Sequence, residues 1–248
     1  MNSNPMIKKG LSQSTDFSQE VMSVKGTRNK TLTLVGLTSI VAVCMYILTS
    51  YQFTMTGDWT LSTGLSGVSA ILGFILVLMM VFRPKSARTF STLYALVEGV
   101  FVGAISTRFS YYFDGVVPKA LTLTLLAVVF TLLLYKESPS LAGKIRRGVI
   151  ILTFTIFAIS ILGLLFQMFG VPFILFGSGP IGIVFSIFTT IVAIANLMID
   201  YDNIIIGARS GLPKYMEHFF AASILITIVW VYVEMLQLLA KIAQSSSE

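Results

Sequence analysis

Seven apolar runs, 31–51, 61–82, 90–107, 116–135, 149–168, 181–199 and 219–240, succeed one another along this chain with polar or charged residues between them. A hydrocarbon core about 30 Å thick takes about 20 residues of helix, and backbone amides that meet no water there must be satisfied within the helix itself. Each run is therefore expected to span a membrane. With 55% hydrophobic and 11% charged residues among 248, little sequence remains for anything else. The expected fold class is an all-α membrane protein: a seven-helix bundle over residues 31–241, a flexible tail at 1–30 and a short C-terminal tail at 242–248.

The first tail carries Lys8, Lys9, Lys25, Arg28 and Lys30 before any apolar run begins, which is not the layout of a cleavable signal peptide. Seven spans put the two termini on opposite sides. Three more basic residues fall in "RPKSAR", four in "KESPSLAGKIRR" and two in "ARSGLPK", all on the side of the N-terminal tail. The other side receives Arg108, Lys119 and Lys241. This positive-inside bias predicts a cytoplasmic N-terminus and an external C-terminus.

The single cysteine, Cys44, excludes an intrachain disulfide and a cysteine-based metal site. "GSGPIG" at 177–182 has the glycine spacing of a dinucleotide fold, but it precedes a membrane span and follows no strand, so it reads as a turn with Pro180 opening a helix. Gly64, Gly73, Gly99, Gly103 and Gly163 are small residues of the kind that lets helices pack closely in lipid. A retinal protein needs a lysine within its last helix, whereas Lys241 stands at the exit. A G-protein-coupled receptor would have its N-terminus outside. A zinc hydrolase needs clustered histidines, and the sole one, His218, sits beside Glu217 at a helix mouth, where a solvated pair is expected. An aspartyl protease needs two aspartates at equal depth. Enzymatic activity is not expected, nor is a cofactor or a nucleic-acid partner.

Ionisable residues within the spans are more informative, because a carboxylate at mid-membrane costs about 2.5–3.5 kcal/mol on insertion scales and usually faces the bundle interior. Glu98 lies about 12 Å inside the third span, and Glu234 lies late in the seventh. No arginine or lysine lies mid-span to pair with them. Asp200 and Asp202 end the sixth span and point about 200° apart on a helix. Stepping by three and four from Asp200 collects Thr189, Asn196 and Asn203 into a polar stripe, whereas Asp202 shares its side with Met198, Ile199, Ile205 and Ile206. If the helix continues to Arg209, Asp200 lies about 13 Å deep, close to the depth of Glu98. The two could share a proton or transiently bind Ca²⁺. Alternatively, both aspartates sit at the wet end of the helix.

"DYDNIIIGA" in the sixth run, "VYVEMLQLL" in the seventh and "LVEGVFVGAIS" in the third together resemble the Bax inhibitor-1 family. "RRGVI", "GPIGI" and "PKYMEHFFA" resemble its bacterial YccA-like branch in particular, and the likeness runs from residue 27 onward. The resemblance implies a central seventh helix, a multi-pass protein of the bacterial inner membrane and, for some members, a pH-sensitive calcium leak governed by an aspartate pair between helices six and seven. Asp200 matches the helix-six position. The helix-seven position lands near Ile224 and Leu225, where no acid stands, so the partner of Asp200 is left open between Glu98, Glu234 and neither.

Two functions follow as expectations. The first is a pH-sensitive cation leak, with calcium as the transported ion, using Asp200, Glu98, Glu234 and Asp202. The second is a non-transporting regulator that binds a membrane-bound protease or other stress-response machinery. Apart from the lipid bilayer and such a protein, no partner is implied, and a monomer suffices.

Overall fold

In the computed structural model, which describes residues 20–246, the chain forms seven long helices and two short 3₁₀ turns. They are α1 (Val24–Thr56), α2 (Thr60–Phe82), α3 (Ala87–Tyr112), α4 (Val116–Glu137), α5 (Pro139–Met168), α6 (Pro180–Arg209) and α7 (Met216–Ser245). All seven are long and apolar enough to cross a membrane. The helices outrun the apolar runs: α1 begins at Val24 rather than at residue 31, and α5 begins at Pro139 rather than at 149. Basic residues such as Lys30, Lys144 and Arg146 continue the helix because their long stems can lie on apolar surface while their heads reach polar partners. The tail through residue 19 lies outside the described residues.

α7 is the central helix and has the largest buried share of any span. It packs against α1, α3, α4 and α6, while α2 is attached through α3 and α5 through α6. Apolar cores flank it. On one side Tyr135, Ala193, Leu197, Tyr201 and Ile204 meet Ile224 and Val231 of α7. On the other, Leu34, Met80, Tyr94 and Ala95 meet Ala221, Ala222 and Leu225.

Close approach of α1 and α3 depends on Gly99 and Gly103. A Cβ at Gly103 would lie 2.5 Å from the Ala42 carbonyl oxygen, and one at Gly99 would lie 2.6 Å from Val41 Cβ. Gly73 and Gly163 also face neighbouring side chains, but Gly64 faces open space and makes no such contact. At "GSGPIG" the α5–α6 connection turns back so tightly that a Cβ at Gly182 would meet the Gly177 carbonyl.

The ends of the bundle differ. At one, here the basic end, residues 20–23, Lys30, the α4–α5 junction and the α6–α7 loop are tied together through Glu217 and Lys214 and through Asp202. At the far end Phe53, Trp59, Tyr111 and Tyr112 form an aromatic cluster, with Phe53 and Trp59 stacked at 3.9 Å between ring centroids. Aromatic rings with a polar edge favour a membrane–water boundary.

Candidate functional site

The seam between α6 and α7 carries the buried Asp200 and the partly buried Glu234. Asp200 is 9% exposed and faces α7. Ser223 and Thr227, one turn apart on α7, donate their hydroxyls to its two carboxylate oxygens at 2.8 and 2.6 Å. Their spacing follows from helical geometry, since residues four apart lie on one face. Sequence reading missed both, although they stand where the resemblance leads one to seek an acid, on either side of Ile224 and Leu225.

Two residues on, Asp202 points the other way and has a different environment. Arg146 of α5 pairs with its Oδ2 at 2.6 Å, and Tyr135 of α4 donates to its Oδ1 at 3.0 Å. Its side chain is 16% exposed, against 30% for Arg146. It thus occupies the wetter, ion-paired position.

The expected polar stripe divides between two neighbours. Asn203 accepts from Arg146 at 2.6 Å, and Asn196 donates to Thr153 on α5 at 2.8 Å, so both asparagines face α5. Thr189 instead donates to Glu234 on α7 at 2.6 Å. At about 100° per residue the asparagines sit about 40–60° around the helix from Asp200, enough to cross from one neighbour to the other.

Glu234 is fully engaged. Trp230, one turn earlier, donates to its second oxygen at 3.0 Å. Lys241, two turns later, has its ammonium bonded to the carbonyls of Leu175 and Gly182 and to Ser186 Oγ at 3.1, 3.2 and 2.8 Å. Lys241 is therefore folded in over the α5–α6 connection rather than standing free at the exit. Because Thr189 and Asp200 are separated by about 16 Å of helix rise, Glu234 and Asp200 occupy separate places in the seam.

Nor does the structure bring Glu98 to Asp200. Glu98 lies on α3, 8% exposed, beside Tyr94 and against Gly73 of α2, where a Cβ would come within 3.3 Å of its Oε2. α7 stands between α3 and α6, so equal depth does not put the two carboxyls in one cavity. Among the described residues no group of three or more His, Cys, Asp or Glu side chains is placed to hold a metal ion. Glu98 and Asp200, expected to share a proton or a calcium ion, are held in separate pockets. Asp200 has its hydroxyl donors in place of either acid.

Glu217 also departs from expectation. It is 3% exposed rather than solvated beside His218, and its carboxylate takes the Ser23 backbone N–H at 2.8 Å, the Ser23 hydroxyl at 3.1 Å and the Lys30 ammonium. Gly26 leaves room for it, since a Cβ there would overlap the carboxylate. A cavity of about 300 Å³, lined chiefly by apolar side chains such as Val43, Leu121 and Val229, opens between α1 and α4 and contains none of these acids.

A family model described as Bax inhibitor 1 like matches residues 4–244. No curated protein and no solved structure shows a significant match. With seven apolar helices, four of them packed on the last, and a match over nearly its whole length, this membrane-spanning chain belongs to the Bax inhibitor 1-like family.

Proposed function

We propose that this protein is a pH-sensitive cation leak whose charge switch is Asp200, with Ca²⁺ as the ion that its oxygen donors suit. The observation that carries this reading is a buried carboxylate whose hydrogen-bond donors are the neutral hydroxyls of Ser223 and Thr227, while Arg146 of α5 is engaged by Asp202 and Asn203. When ionised, such a group is balanced by a cation drawn into the seam. When protonated, it loses both its charge and much of its value as a ligand. Flux is therefore expected to rise with pH. Glu98 and Glu234 would act on the path separately, each from its own pocket, and neither would form a pair with Asp200.

The basic end is read as cytoplasmic, in a bacterial inner membrane, because the positively charged loops gather there. The polar segment that precedes residue 20 favours a second reading, a non-enzymatic regulator that binds a membrane-bound protease or other stress-response machinery. Calcium uptake by protein reconstituted in liposomes at acidic and alkaline pH separates the two. Asp200→Asn is expected to lower alkaline uptake by about tenfold or more, the loss of an ionised ligand being worth about 1.5–3 kcal/mol. Asp202→Asn, whose position is already ion-paired, is expected to change it less. Absence of uptake by the parent protein at both pH values would leave the regulatory reading.

A further inference from the structure

Residues 20–23 cross the basic end of the α6–α7 seam instead of simply leading into α1. The Met22 amide donates to the Leu212 carbonyl at 2.7 Å, the Lys214 amide donates to the Glu20 carbonyl at 2.7 Å, and Val21 faces Pro213 in an antiparallel bridge. Met22 points inward, 2% exposed, in the core that holds Leu197, Tyr201, Ile204 and Ile224. A Cβ at Gly207 would approach its sulfur to 3.0 Å, so α6 is small where Met22 enters. Gly207 lies about 10 Å of helix rise beyond Asp200, toward this end.

We propose that residues 20–23 are a strap that closes the entrance to the Asp200 site from the basic end, and that release of the strap opens this site to water. Access of water to Asp200 does not depend on whether ions traverse the bundle. One buried side chain and a few polar contacts hold the strap, and its flanks are open: Val21 is 59% exposed, and the Glu20–Lys214 pair lies at the surface. Segments with few buried contacts open locally at lower free energy than the core. Departure of the strap would not leave a buried charge alone, because Lys30, on α1, stays paired with Glu217 after Ser23 has left. The extended backbone of Ser23, which caps α1, supplies the point of departure.

The test is the rate at which a charged, membrane-impermeant methanethiosulfonate modifies Ile204→Cys in the full-length Cys44→Ser protein in lipid nanodiscs, with Ser210→Cys as the exposed reference. Met22→Asp, which puts a carboxylate in an apolar pocket, is expected to raise the rate about tenfold, equivalent to about 1.4 kcal/mol in the opening equilibrium. Glu20→Lys, at an exposed pair and harmless to folding, is expected to raise it about two- to threefold. Met22→Leu is expected to match the parent. A Glu20→Lys rate equal to the parent's overturns the proposal even if Met22→Asp does not fold. So does a parent in which Ile204→Cys already reacts as fast as Ser210→Cys.

Discussion

The α1–α3 seam and the α6–α7 seam join helices of similar length by opposite means. Between α1 and α3 the backbones touch across Gly99 and Gly103. The polar groups there are hydroxyls that find neutral partners, Thr38 on the Ala95 carbonyl at 3.0 Å and Thr49 on Thr107 at 2.7 Å. Between α6 and α7 two carboxylates, the buried Asp200 and the partly buried Glu234, sit at separate depths, each held by donors from the other helix. Without a hydrophobic drive between helices in lipid, close packing keeps the first seam shut. The second is held partly by carboxylates, and it is where the proposed charge switch lies.

The difference is exposed most strongly by Gly103→Val. The added atoms would overlap the backbone of α1, and the expected loss is about 1–3 kcal/mol or more, seen as a lower melting temperature and a lower yield of monodisperse protein. A variant as stable as the parent would show that the α1–α3 seam is looser than its contacts imply. Next in size is Lys241→Met, which keeps the apolar stem but removes the three hydrogen bonds over the α5–α6 connection. A loss of about 1–2 kcal/mol is expected in thermal unfolding, and no change would mean that the ammonium does not hold the far end of the second seam.

The smallest effect belongs to a control outside both seams. Asp58, in the exposed α1–α2 turn, is held below the ordinary carboxylate value first by the hydrogen bond from the Thr60 side chain and then by the Thr60 backbone N–H. A depressed value means that the ionised form contributes stability above the usual carboxylate range, and that this is lost as pH falls through the lowered value. Asp58→Ala is thus expected to melt slightly below the parent near neutral pH, with the gap closing in acid. A gap that persists in acid would assign the difference to the turn itself.

The fold was legible because seven apolar runs in a chain this poor in charge have few arrangements open to them. Helix starts were less so: Lys30, Lys144 and Arg146 interrupt the apolar pattern without interrupting the helix. Asp200 was separable from Asp202 by helical rotation alone. Their partners were not, because a rotation of about 40–60° decides whether Asn196 and Asn203 meet α5 or α7, and only tertiary packing fixes that angle. Equal depth similarly suggested Glu98 as a partner, but the intervening α7 separates them. Ser223 and Thr227 carried a readable signal, two hydroxyls one turn apart in an apolar helix, whereas nothing local to Met22 marked it as a core residue.

The central claim, that Asp200 changes its charge within the α6–α7 seam, is tested most directly by infrared difference spectroscopy of the protein in lipid between acidic and alkaline pH. The parent should lose a protonated-carboxyl stretch as pH rises, and Asp200→Asn should lack that component while Asp202→Asn retains it. A difference spectrum of Asp200→Asn identical to the parent's would contradict the claim and return the switch to Glu98 or Glu234.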